Sequence, residues 1–281
     1  MRLVTYQHGG ESSTGVLTNT GVVDLPRASG GRIPGEMVAL LCGGDPILQL
    51  AREVVTAGDE IPLASVRLQA PIRRPGKILG IGLNYADHAA EGGRKKPDYP
   101  LVFAKTVLET TGDGDPIRLP AVTQMVDFEG ELAAVIGKNS RQMKDEDMLS
   151  CVAGYTICND VSARDYQRRS GHTAGKSFET FAPLGPAIVT RDEVPDPHAL
   201  DIRTWVSDEE MQRSNTKHLI FTIPYLIQYL SPIFPLEPGD VITTGTPSGV
   251  GAYRDPPRFL KVGDTVRIEI AGIGTLQNPV M

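Results

Sequence analysis

The stretch from Val126 to Ile136 constrains this chain most. Leu132 to Ile136 is an unbroken apolar run that reads as a buried strand, and Glu129-Gly130-Glu131 stands at its entrance. Residues i and i+2 of a strand point to one face, so Glu129 and Glu131 aim at one point. Two carboxylates there repel each other unless a cation or a shared proton compensates. Gly130 between them leaves room for a close approach or a bulge. Asp160, which ends a second apolar run beginning at Tyr155, is a third candidate. Three hard oxygen donors without His or Cys suit Mg²⁺ or Mn²⁺, with positions left for water and substrate. Taken alone, a Glu-x-Glu pair reads as an exposed polar edge; here the neighbouring motifs decide.

At 281 residues the chain buries a large core and divides into one big domain and a smaller piece. Hydrophobic residues make up 40% and charged residues 22%, which sets aside a disordered or fibrous chain. A net charge of -6, with its basic residues scattered, argues against nucleic acid or an anionic membrane as main partner. A small anionic substrate stays open, because a bound divalent cation changes the local field. Cys42, Cys151 and Cys158 form no Cys-x-x-Cys pair and no disulfide framework, which fits a reducing compartment. The N-terminal residues supply no signal-peptide core, and no apolar run reaches the ~18–20 residues of a membrane span. The expectation is a cytoplasmic protein.

Along the chain, residues 1 to about 70 predict a small lead-in of short strands and one or two helices, with no catalytic constellation. Arg73-Arg74-Pro75-Gly76 reads as a joint. Beyond it come a buried strand at Lys77–Gly82, a helical stretch at Asn84–Glu91, and strands at 101–105, 132–136 and 152–158. Residues 161–169 look helical, Gly171 to Gly175 looks like an exposed loop, and Ile220 to Leu230 has the spacing of a helix. The C-terminal part is β in character, with no regular βαβ rhythm. This pattern predicts a β-rich α+β fold rather than a doubly wound sheet.

Two stretches imitate nucleotide motifs. Gly80-Ile81-Gly82-Leu83-Asn84-Tyr85 lacks the third glycine of a dinucleotide fingerprint, and Ser170 sits where the first glycine of a phosphate loop belongs before Gly175-Lys176-Ser177. Neither qualifies. His88 and Glu91, three apart on a predicted helix, can form a base oriented by a carboxylate, or be an incidental surface pair. Arg164 and Gln167 share the same spacing and can hold a substrate carboxylate or keto oxygen, or belong to a solvated helix face. Lys176 is a point charge in a small-residue stretch or simply solvated. Thr243 to Gly251 exposes N–H groups and hydroxyls that suit an anion or an ordinary tight turn.

These residues carry a resemblance. Gly82–His88, Asp127–Leu132, Asn159–Asp165, Lys176-Ser177-Phe178, Thr244–Gly251 and the closing Gly272–Val280 follow one another as in the fumarylacetoacetate hydrolase superfamily. The chain most resembles its bacterial acylpyruvase and 2-hydroxyhepta-2,4-diene-1,7-dioate isomerase-like branch. The resemblance implies an α+β, β-rich fold. Its mixed β-sandwich roll core spans 73–281, behind a small N-terminal α+β domain at 1–72. It further implies Mg²⁺ or Mn²⁺ on Glu129, Glu131 and Asp160 (with Ca²⁺ able to take the same oxygens in crystals), and a His88–Glu91 dyad activating water with Lys176 beside it. On the same resemblance, Arg164, Gln167 and Thr246 are expected to face a small keto acid substrate, residues 87–98 to form a mobile lid, and the protein to be a homodimer. The implied reaction is metal-dependent hydrolysis of a C–C bond in a 1,3-diketo acid, of acylpyruvate or fumarylpyruvate type, in aromatic catabolism. Oxaloacetate decarboxylation, keto–enol tautomerisation, hydroxymuconate-type isomerisation and hydratase chemistry use the same enolate-stabilising site. A non-catalytic acid-binding protein on the same fold is the alternative of another class. One departure is Leu83, where some acylpyruvases have Arg, and it leaves the substrate acid open.

Overall fold

A computed structural model describes residues 1–141 and 148–281. The architecture is the β-rich α+β class predicted from the sequence. Its main element is an 11-stranded sheet in which Gly130–Ile136 lies between Val152–Asn159 and Val241–Thr243. Val241–Thr243 runs parallel to Ile78–Gly82, and Leu101–Lys105 closes that edge antiparallel. On the other side, Val152–Asn159 pairs with Leu184–Thr190, which pairs with Arg2–His8 of the N-terminal part. A second, four-stranded sheet is built from Glu209–Asn215, Asp201–Val206, Thr265–Ile270 and Gly274–Pro279.

The central strand is apolar throughout because both of its faces are covered. Leu132, Ala134 and Ile136 join a core with Ile202, Val206, Ile268 and Leu276 of the four-stranded sheet and with Leu226 and Ile227 of the helix Ile223–Leu230. Ala133 and Val135 pack the opposite way, into a core with Leu3, Leu40, Leu41, Leu48 and Ile188. Gly130 is a close approach: a Cβ there would lie 2.3 Å from Thr204 Oγ1.

Two local expectations are corrected. The stretch after Gly171 is not an exposed loop but the helix His172–Lys176, with Gly175 and Lys176 buried. It packs so tightly on Arg164–Ser170 that a Cβ at Gly175 would stand 2.6 Å from the backbone N of Gln167. The late helix begins at Ile223, three residues beyond the predicted start, because Pro224 sits in its first turn, where its missing N–H costs nothing.

Candidate active site

Glu129, Glu131 and Asp160 meet at the end of the paired strands Gly130–Ile136 and Val152–Asn159. The Asp160 N–H donates to Glu129 O at 2.9 Å, and the Glu129 N–H donates to Asn159 Oδ1 at 3.1 Å. These bonds lock the two strand ends together and bring one oxygen of each carboxylate within 4.8 Å of the others. All three side chains are buried.

Buried acids need cations, and three are supplied. Lys176 Nζ lies 2.7 Å from Glu129 Oε2 and 2.6 Å from Asp160 Oδ2. Arg164 Nη1 lies 2.6 Å from Glu129 Oε1, while its Nε donates to Asp127 Oδ2 at 2.8 Å. Lys105 pairs with Asp160 Oδ1, and Lys105 was not foreseen from the sequence. Its signal was alternation: in Leu101–Lys105 it shares the buried side with Phe103. Burial would raise the Glu129 pKa, but Lys176, Arg164 and His88 outweigh it and hold the carboxyl below its ordinary range. Lys176, penalised by burial, is held charged and above its usual range by Asp160 and Glu129.

Glu131 differs. It forms no ion pair among the described residues, and its Oε2 accepts only the Gly245 N–H, at 2.9 Å. Burial, then Asp160 and Glu129, push its pKa well above the usual carboxylate value. Gly245 reaches it through a left-handed turn, φ 99°, where a Cβ would collide with Asn84 Cβ at 2.7 Å. The donor set therefore fits a hard divalent cation: three carboxylate oxygens near one point, one of them without a compensating charge.

The dyad lies across the cavity. In the helix Ala86–Glu91 the Nδ1 of His88 is 2.7 Å from Glu91 Oε1, and Glu91 Oε2 accepts the Gly249 N–H at 2.8 Å. Ser248 Oγ donates to Asp87 at 2.9 Å, so the loop after Thr243 holds this helix at two points. Asp127 holds the same loop from below, accepting from Gly251 N at 2.8 Å and Ala252 N at 3.0 Å. Arg164 Nη1 also donates to Gln167 Oε1 at 3.1 Å, and Arg164 Nη2 has no partner among the described residues. The Thr246 hydroxyl is engaged: it donates to Gly130 O at 3.0 Å and accepts from Gln212 Nε2 at 2.8 Å.

These groups surround one cavity of about 370 Å³, enough for a small organic acid. Glu129, Glu131, His88, Arg164, Gln167, Lys176 and Thr246 all line it; Asp160 lies beneath, and Glu91 stands behind His88. Leu83 also lines it, from a left-handed backbone (φ 56°) that a branched side chain rarely adopts.

The family described as fumarylacetoacetate (FAA) hydrolase C-terminal matches residues 77–281. The chain belongs to that family, as the sequence motifs implied. It is 43% identical to an oxaloacetate tautomerase of Xenopus laevis described as mitochondrial, over 100% of this chain and 90% of that protein. Among solved structures it is similar to maleylpyruvate hydrolase from Sphingobium sp. SYK-6 in complex with manganese(II) ion and pyruvate. There the identity is 32% and the TM-score 0.83, covering 100% of this chain and 99% of that one. It is also similar to 5-carboxymethyl-2-hydroxymuconate delta-isomerase from Mycobacterium smegmatis, 37% identical with a TM-score of 0.78, covering 100% and 98%.

Proposed function

We propose that this protein is a metal-dependent enzyme of enolate chemistry on a short 2-oxo acid, and that its reaction is the keto–enol tautomerisation of oxaloacetate. The observation that carries the chemistry is the uncompensated Glu131 in a buried carboxylate triad that faces the His88–Glu91 pair across one cavity. The full-length likeness to an oxaloacetate tautomerase favours this reaction over its relatives.

A divalent cation held by Glu129, Glu131 and Asp160, with Mg²⁺ or Mn²⁺ suited to the oxygens, supplies Lewis-acid stabilisation of the enolate charge. Manganese in the hydrolase structure supports that choice. Lys176, charged and at the cavity wall, adds a second positive group beside the triad. Arg164, fixed by Asp127 and Glu129, keeps its Nη2 free for the substrate carboxylate, and Gln167 narrows its freedom. For His88, a proton on Nδ1 shared with Glu91 leaves the Nε2 lone pair to take and return a proton. From keto to enol, His88 takes a proton from C3 while the 2-oxygen takes one up to become the enol hydroxyl; in the other direction the hydroxyl proton is lost and His88 returns one to C3. Thr246 holds Gly130 and Gln212 in place, and its role is to shape the cavity floor.

A second reading, hydrolysis of a C–C bond in a 1,3-diketo acid, is favoured by the same dyad, because His88 can deprotonate water as readily as carbon acid. The two part on products. Addition of the Mg²⁺-loaded protein to enol oxaloacetate should speed the loss of the enol absorbance, be abolished by chelator, and release no pyruvate. Pyruvate plus a free acid from a short acylpyruvate, without acceleration of the oxaloacetate step, would replace the first reading by the second. No effect on either substrate would end both. A homodimer and a cytoplasmic setting belong to the same proposal. Among the described residues no helix is long and apolar enough to cross a membrane.

A further inference from the structure

The cavity has two electrically different ends. The acids that line it are Glu129 and Glu131, both buried. At its exposed rim stand Arg94 and Arg168. Unlike Arg164 and Lys176, which are occupied by Asp127, Glu129 and Asp160, neither rim arginine forms an ion pair among the described residues. Both are nevertheless placed. Arg168 lies one helical turn beyond Arg164, and its Nε donates to Arg164 O at 3.2 Å, with Nη2 resting 3.7 Å from Met125 Sδ. Arg94 follows the helix of His88; its N–H donates to Ala89 O at 2.8 Å, after a left-handed turn at Gly93. Its charge reaches across the mouth: burial first, then Lys176, and also Arg94, hold His172 below the usual imidazole pKa.

Two unpaired guanidinium groups over a cavity whose floor takes a cation describe a site for an anion with charge at both ends. We propose that Arg94 and Arg168 are specificity residues that take the second carboxylate of a dicarboxylic 2-oxo acid, while its first carboxylate and 2-oxo group lie at the triad. This rests on the reading of the cavity as a 2-oxo-acid site. Oxaloacetate and the unsaturated diacids fall in this class, and acylpyruvates with a plain alkyl group do not. A guanidinium fork suits the role because it grips a carboxylate through two N–H groups and stays charged at every working pH.

The test separates this from the reaction itself by reading binding rather than turnover. Calorimetry on the Mn²⁺-loaded protein compares 3,3-difluoro-oxaloacetate, a diacid that cannot enolise, with pyruvate, which has one carboxylate. The wild-type protein should prefer the diacid. R94M and R168M should each weaken its binding about five- to tenfold, with smaller losses at high salt, and leave pyruvate and Mn²⁺ affinity unchanged. Equal affinity for the two anions, or unchanged diacid binding in both variants, would overturn the rim assignment even if enol oxaloacetate is turned over. A diacid preference that falls in the variants, with no enol turnover, would keep the rim and remove the tautomerase. Failure of both anions to bind would remove both.

Discussion

At Glu131, burial and the neighbouring Asp160 and Glu129 disfavour the charged form and outweigh the attraction of Lys176, which forms no ion pair with it. Replacement by an amide removes that repulsion while keeping the acceptor for Gly245 N–H. Glu131→Gln should therefore leave the metal-free protein at least as stable as wild type. It should also lose the stabilisation that Mg²⁺ or Mn²⁺ gives, about 2.7 kcal/mol at a hundredfold excess over Kd. Thermal melts with and without metal check this, and a wild-type-sized metal shift in the variant would remove Glu131 from the ligand set. His88 behaves oppositely. His88→Ala should lower kcat about 10²- to 10⁴-fold while keeping the metal-induced shift, because the imidazole moves a proton and does not hold the ion. Near-normal turnover in that variant would mean the base lies elsewhere.

At the level of elements, the site depends on how loops are tied to strand ends. Asn84 is fully buried and joins three segments: its Nδ2 donates to Phe221 O at 3.0 Å and Thr244 O at 2.7 Å, and its Oδ1 accepts from Phe221 N at 2.7 Å. Asn84→Ala strands buried polar partners and should cost about 3 kcal/mol, a fall in Tm of several degrees. A milder loss would show that water replaces the side chain. A second tie is the turn at Asp264, which accepts from both Nη atoms of Arg258 at 2.9 and 2.7 Å and from Lys261 N at 2.8 Å. Arg258 N in turn reaches Gly251 O, beside the loop on Asp127. Burial raises the Asp264 pKa, but these donors outweigh it and hold it below the usual value. A depressed pKa contributes stability above the unfolded value of ~3.9 and loses it as pH falls through the folded one. Asp264→Asn should thus be less stable than wild type at pH 7, by about 1 kcal/mol for a pair near the surface, and the gap should narrow on acidification to about pH 2. Denaturant titrations at the two pH values decide; a constant gap would place the effect in packing rather than charge.

For the whole molecule, the N-terminal part is joined to the rest by hydrogen bonds as well as packing. Arg2 and Leu3 pair with Val189 and Ile188, and Leu3, Leu40 and Leu41 share a core with Ala133 and Val135 on the back of the strand that carries Glu131. We propose that the boundary near residue 72 separates a supporting piece from the catalytic piece without separating their cores. A chain of residues 73–281 would then expose that apolar face and an unpaired strand edge. It should aggregate or melt far below the full chain. Cooperative unfolding of the fragment at a near-native temperature would show that the two parts fold independently.

Much of the site was legible because strand periodicity is local. The three-residue spacings of His88 and Glu91, and of Arg164 and Gln167, are repeats within single helices, and Glu129 stands one residue before the strand Gly130–Ile136 that carries Glu131. The β-rich class followed from the same periodicities. Lys105 escaped because its partner Asp160 lies just beyond the end of another strand, far along the chain, and a lysine ending a strand looks solvated until its neighbours are known. The helix at His172–Lys176 escaped for a similar reason: a glycine-rich stretch has poor intrinsic helix propensity, and contacts from elsewhere hold it, Gly175 against Gln167, His172 on Phe103 and Lys176 with Glu129 and Asp160. Sequence alone determined which chemical groups this protein brings and which of them share a face. Tertiary structure decided which charges are compensated. Whether Glu129 is paired and Glu131 is left bare depends on where Lys176, Arg164 and Lys105 arrive from distant parts of the chain, since electrostatic energy follows distance in space and not position in sequence.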